Sequence, residues 1–196
     1  MKPTSPFVFR EITRDDIPAV QSFIIRHLNL YFNAGRALPT ASDDVFDLQG
    51  NYLERERNQL FGVWNEQQQI IGTLAICQYD DRIEMLHGRY NLPETAEICR
   101  CYVDQRYRRQ GIGSQLVSLA EQFCEQQRYK ILYLHTHHFL PGGYQFWRRN
   151  LFNVFMDVGD EWQIVHMENR VNILLPATIL ITFTVYNNAF FLIAIN

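Results

Sequence analysis

The stretch Ala96-Glu97-Ile98-Cys99-Arg100-Cys101-Tyr102-Val103, continued by Asp104-Gln105-Arg106-Tyr107 and by Arg108-Arg109-Gln110-Gly111-Ile112-Gly113-Ser114, decides the fold. Ala96 to Val103 is rich in apolar residues and reads as a strand. From Gly111 to Gln127, Ile112, Leu116, Leu119, Ala120 and Phe123 fall on one face of an amphipathic helix. A strand that ends in a basic, glycine-bearing turn and opens a helix makes an anion site. The unpaired N–H groups of the first helical turn point outward, and the helix dipole favours negative charge there. Gly111 and Gly113 let a phosphate approach the backbone closely. Arg108 and Arg109 add charge-assisted hydrogen bonds.

Working outward, Phe7 to Ile12 alternates as a first strand, and Thr13 caps a helix that carries Ile17, Val20, Ile24 and Leu28 at helical spacing. Asn33 to Pro39 breaks that pattern. Asp43 to Arg57 reads as a short, weak helix interrupted by Gly50. Leu60 to Trp64 and Ile70 to Cys77 form a hairpin about Asn65–Gln69. Asp80 to Pro93 is an irregular polar connection. Beyond the central helix come a strand at Ile131–His135, a short helix opened by Pro141-Gly142-Gly143, and two strands, Phe152–Val158 and Gln163–Met167. The order predicts a mixed α/β domain over residues 1–170 with helices packed on a central sheet.

Hydrophobic residues are 47% of the chain and charged residues 20%, so it folds as a globular domain rather than staying disordered. A net charge of -3 gives no case for a nucleic-acid-binding face. Cys77, Cys99, Cys101 and Cys124 match no zinc or disulfide spacing and are expected to be reduced thiols of a cytoplasmic protein. No apolar signal segment follows Lys2. Residues 171–196 form an apolar extension without charge or glycine. Its readings are extra strands, with a turn at Asn187-Asn188, an adventitious extension, or a membrane anchor. Pro176, Asn187 and Asn188 speak against the anchor.

The segment from Ala96 to Gly113 resembles the core motif of the GNAT superfamily of N-acetyltransferases, a strand, a Gln/Arg-x-x-Gly-x-Gly/Ala turn and a helix. The resemblance is specific over residues 96–152. It implies the GNAT fold, a mostly antiparallel sheet with a splayed central strand pair, and acetyl-CoA as co-substrate. Backbone groups at Cys101, Tyr102 and Val103 would then bond the pantetheine arm. Those of Arg109, Gln110, Gly111, Ile112, Gly113 and Ser114 would hold the pyrophosphate, with Arg108 at the motif's Gln/Arg position. The acceptor would be a primary amine, on a small molecule or a protein, attacking the thioester directly in a ternary complex. The resemblance leaves a homodimer open.

An amine of pKa about 10.4 must lose a proton before it attacks. Glu97 matches the strand position where the histone-acetyltransferase branch places its general base. The family's aromatic segment, Phe-Tyr-x-x-x-Gly-Phe, corresponds to Phe146-Trp147-Arg148-Arg149-Asn150-Leu151-Phe152. Trp147 replaces the tyrosine that protonates the thiolate, and Leu151 replaces a glycine, which predicts strain if that position needs φ > 0. Tyr144, one turn earlier, is the substitute donor. These departures motivate a second reading, an acyl-CoA-binding or regulatory module without turnover. His135, His137 and His138 stand at the end of the strand facing the acyl gap and read as a polar strand end, or as a place where one of them takes part in substrate binding or proton relay. With no cysteine or carboxylate evident nearby in the sequence, they are not read as a metal site.

Overall fold

The computed structural model describes residues 6–32, 43–171, 184–186 and 189–191. Strand β1 (Val8–Glu11) leads into α1 (Ile17–Phe32), and α2 (Asp43–Phe46) is followed by a π-helical turn over Gln49–Leu53. Next come β2 (Gln59–Trp64), β3 (Ile70–Gln78), β4 (Thr95–Val103), α3 (Ile112–Gln126), β5 (Ile131–His137), α4 (Gly143–Arg149), β6 (Asn153–Asp157) and β7 (Ile164–Arg170). Seven strands make one sheet in the order β1-β2-β3-β4-β5-β7-β6, antiparallel except for the central β4–β5 pair.

Alternation along β3 sorts the two faces. Leu74 and Ile76 join the core beneath α3, which includes Ile112, Leu116, Val117 and Ala120. Ala75 joins the core beneath α1, with Val20, Phe23, Ile24 and Leu28. The start of α1 is held by Asp16, whose carboxylate accepts from Thr13 N–H at 2.7 Å and from both terminal nitrogens of Arg10. The segment expected as a weak helix is shorter than its sequence suggests. Its chain tightens where Gly50 N–H donates to Asp47 Oδ1 at 2.8 Å, and a Cβ on Gly50 would lie 2.3 Å from that carboxylate.

Two irregularities set up the site. Strands β4 and β5 pair only at Thr95–Ile131, Ala96–Leu132 and Glu97–Tyr133, then diverge. On its other edge β4 carries a bulge, where the register with β3 shifts between Thr73 and Ala75 and Arg100 takes φ +52°. Thr73 Oγ1 donates to the Arg100 carbonyl at 2.8 Å and fixes that bend.

At the C-terminus, Val171 N–H donates to the Lys130 carbonyl at 3.0 Å, so the domain's packing reaches residue 171. Beyond it, β8 (Thr184–Tyr186) and β9 (Ala189–Phe191) pair antiparallel in a separate two-stranded sheet. The other positions of the extension, and the break at 33–39, lie outside the described residues. Among the described residues no helix is long and apolar enough to cross a membrane.

Candidate active site

Where β4 and β5 part, a cleft of about 1360 Å³ opens between them. Its walls include Glu97 to Val103 on β4, Leu134 to His137 on β5, and Arg108, Arg109, Gly111, Ile112, Gly113 and Ser114 at the start of α3. Cys101, Tyr102 and Val103 therefore stand together with the glycine-bearing turn before α3 on one cleft. Gln110 is an exposed member of that turn and is not among the lining residues.

Gly111, the residue before α3, takes φ +81°, and a Cβ there would meet nothing within 4 Å. The constraint on Gly111 is therefore conformational. Gly113 has a different reason: its Cβ would fall 2.8 Å from Cε2 of Phe146, so the glycine lets α4 close against α3. No side chain caps α3, which leaves its first N–H groups facing the cleft end for an anion. Arg109 holds φ +62°. Arg108 turns inward rather than outward, donating Nε to the Val103 carbonyl at 3.2 Å and a terminal nitrogen to the Tyr31 hydroxyl. It braces the turn against the end of β4 and against α1.

At the apex of the splay lies Glu97, only 2% exposed. Both of its oxygens accept from Arg82 at 2.7 Å, and Arg82 also meets Asp80 at 2.8 Å. Burial raises the Glu97 pKa, and the Arg82 guanidinium works against that rise without cancelling it. His135 Nδ1 stands 3.6 Å from Glu97 Oε1. The absence of a nearby carboxylate, read from the sequence, is thus corrected: the pairing of β4 with β5 brings Glu97 beside His135. Loss of solvation, with His137, His166, Arg82 and Arg100 around it, lowers the His135 pKa, although 37% of the side chain stays open to the cleft.

The other histidines diverge. His137 Nδ1 contacts the Trp162 carbonyl at 2.7 Å, and His138 Nε2 contacts Asp157 at 2.9 Å. His166, opposite His135 in register, is buried, stacks on Tyr133 and bonds its hydroxyl through Nδ1 at 2.8 Å. Its Nε2 has no partner among the described residues. No group of three or more His, Cys, Asp and Glu suited to a metal occurs among the described residues.

Trp147 is buried, edge-on to Phe146 and Phe152, and forms part of the cleft floor. Tyr144 packs its ring 5.1 Å from His138 and is not among the residues lining the cleft. Leu151 does adopt φ +67°. It follows α4 in a Schellman arrangement, with Phe152 N–H donating to the Trp147 carbonyl at 3.0 Å and Leu151 N–H to Arg148 at 3.2 Å. Sequence reasoning missed Arg82, His166 and Trp162. Arg82 and Trp162 lie in irregular connections, and for none of the three does local sequence tell which strand it will face.

A splayed parallel pair beside the uncapped start of a helix is the arrangement that the resemblance to the GNAT acetyltransferases implied. The model of the Acetyltransferase (GNAT) family matches residues 24–151, and the chain belongs to that family. A GNAT-family acetyltransferase of Staphylococcus aureus shares the fold at a TM-score of 0.68 and 19% identity, over 84% of this chain and 99% of that one. A protein of Salmonella typhimurium, solved with its cofactor acetyl-CoA, has a TM-score of 0.64 and 12% identity, over 86% and 95%. The PaiA N-acetyltransferase of Thermoplasma acidophilum, in complex with coenzyme A, has a TM-score of 0.60 and 14% identity, over 85% and 99%. No curated protein matches by sequence.

Proposed function

We propose that the chain transfers acetyl from acetyl-CoA to a primary amine by direct attack within a ternary complex. The observation that carries this reading is the single cleft that runs from the anion-binding turn at Arg109–Ser114 to the paired Glu97 and His135 at the splay. The turn would take the pyrophosphate on backbone N–H groups, and the exposed edge at Cys101, Tyr102 and Val103 would bond the pantetheine arm. The thioester carbon would then lie at the apex.

There the amine must arrive neutral. We propose that Glu97, whose pKa burial raises, accepts the amine's proton as the base expected from the sequence, with the neighbouring His135 ring, its Nδ1 3.6 Å from Glu97 Oε1, as the relay. Direct attack is preferred over a cysteinyl intermediate because burial pushes the Cys101 thiol up to about 12, and the neighbouring Cys77 and burial raise that of Cys99, which keeps both cysteines of the cleft protonated. The placement of Tyr144 against His138 gives no support to its role as thiolate donor.

The burial of Trp147, which offers no acid where the family has tyrosine, favours a second reading of the same fold as an acyl-CoA-binding module. Thiol release over a panel of small-molecule and peptide amines, with acetyl-CoA affinity measured separately, decides between them. Turnover that Glu97→Gln and His135→Gln suppress, with cofactor affinity kept, supports the transferase. Binding without turnover on any amine supports the module.

A further inference from the structure

Behind the apex, on the α1 face, lies a second cavity of about 760 Å³ that shares Arg82, Glu97, Cys99 and Arg100 with the cleft. Two sulfurs meet in its wall. Cys77 pairs in register with Glu97, and Cys99 with Ala75, so the two cysteines are diagonal neighbours on one face of β3 and β4. Their Sγ atoms are 2.9 Å apart, well inside ordinary sulfur–sulfur contact. Cys101 and Cys124 lie elsewhere: Cys101 packs against the α3 core and Cys124 is buried within it.

The geometry points to Cys77 and Cys99 as an oxidisable dithiol, a site of reversible disulfide formation in the wall of the cavity behind the catalytic apex. A disulfide needs the sulfurs at about 2.05 Å, so closure requires a further approach of less than one ångström. Diagonal residues on paired strands are ordinarily at the outer limit for such a bond. Here the side chains close that gap, with the two Sγ atoms in contact one residue before the bulge at Arg100. Because both cysteines line a cavity, a small peroxide reaches them without unfolding the sheet.

The chemistry balances with hydrogen peroxide as oxidant. The Cys77 sulfur attacks a peroxide oxygen as its proton passes to the departing oxygen, the O–O bond breaks, and a sulfenic acid and water result. The second sulfur attacks the sulfenic sulfur, the S–O bond breaks, a second water leaves and the S–S bond forms. Two thiols lose two electrons and two protons, and one peroxide is reduced to two waters.

The sulfurs are wired to the site. The Cys77 thiol lies 3.8 Å from the Tyr52 hydroxyl and the Cys99 sulfur 3.7 Å from it. Tyr52 donates to Asp44 at 2.8 Å, and Asp44 holds Arg100 through Nε at 2.9 Å and a terminal nitrogen at 2.6 Å. A disulfide has no S–H to give Tyr52. Oxidation therefore acts on the contact that ties the Asp43–Leu53 segment to the bulge of β4.

The test uses the full chain treated with hydrogen peroxide, alkylated and digested with trypsin without reduction. Cys77 falls in the peptide 58–82, Cys99 in 90–100, Cys101 in 101–106 and Cys124 in 110–128, so each pairing has its own product. The expected result is a cross-link between peptides 58–82 and 90–100 that dithiothreitol reverses and Cys101→Ser retains. Cys77→Ser abolishes it, and mapping of the unmodified protein decides the matter if that variant fails to fold. Alkylation of both Cys77 and Cys99 after peroxide, or a cross-link to Cys101 or Cys124 instead, overturns the proposal.

Discussion

Arg82 grips Glu97 through two hydrogen bonds of 2.7 Å, one to each carboxylate oxygen, from a connection that carries no regular strand or α-helix. Loss of the guanidinium leaves burial as the dominant influence on Glu97, so its pKa moves further up. In Arg82→Gln the acid limb of the pH–rate profile for thiol release should shift to higher pH. A carboxyl raised above its unfolded value contributes most to folding below that value, near 4.3, and the contribution is lost as pH rises through the folded pKa. Arg82→Gln should therefore cost on the order of 1–3 kcal/mol at pH 7 and less at pH 4, measured by urea unfolding at both.

Gly111 and Gly113 make separable predictions. Gly111→Ala adds a methyl that touches nothing but sits at φ +81°, at a cost of about 1 kcal/mol. Gly113→Ala forces the Phe146 ring aside, at a cost of about 1–3 kcal/mol. Thermal unfolding should rank them in that order. On the proposed reading of the turn as the pyrophosphate site, a bulky residue at 111, as in Gly111→Val, should weaken acetyl-CoA binding about tenfold or more by calorimetry, because its side chain would enter the space proposed for the phosphate.

Leu151 stores strain at an exposed position, 73% accessible, with φ +67°. Leu151→Gly should raise stability by about 0.5–1 kcal/mol, the relief of a left-handed conformation less the greater freedom of glycine in the unfolded chain. Differential scanning calorimetry should show a higher Tm, with acetyl-CoA affinity unchanged.

Asp16 has a pKa held well below the ordinary carboxylate value, chiefly by Arg10, with Thr13 adding its N–H and hydroxyl. A lowered carboxyl stabilises the fold above its unfolded pKa, near 3.9, and loses that contribution as pH falls. Asp16→Asn should lower stability by about 1 kcal/mol at pH 7 and progressively less below about pH 4, read from chemical denaturation across that range.

The strand–turn–helix unit from β4 to α3 was legible because its determinants are contiguous: a strand, two arginines, two glycines and the apolar stripe of α3 follow one another in the chain. Leu151 was legible for the same reason, since its conformation belongs to the local end of α4. Glu97 could be singled out by its place on β4, but its environment could not. Arg82 reaches it from the 80–93 connection and His135 from the neighbouring strand, and pairing across a sheet leaves no periodic trace in either segment. The short α2 and the π-helical turn after it were hidden because Asp47 bonds its own neighbourhood at Gly50 instead of extending the helix. The inward turn of Arg108 depends on Tyr31, a residue of α1 distant in sequence.

The parting of β4 from β5 after three paired positions leaves the sheet with rungs missing at its centre. Amides on the gap side of β4 beyond Glu97 lack the protection that β3 gives the opposite edge, so they belong to the readily exchanging part of an otherwise slow sheet. A ligand that supplies acceptors along that edge does more than occupy a cleft. It completes the ladder and joins the two half-sheets into one cooperative unit, so that occupancy slows hydrogen exchange and raises the unfolding temperature in step with ligand concentration.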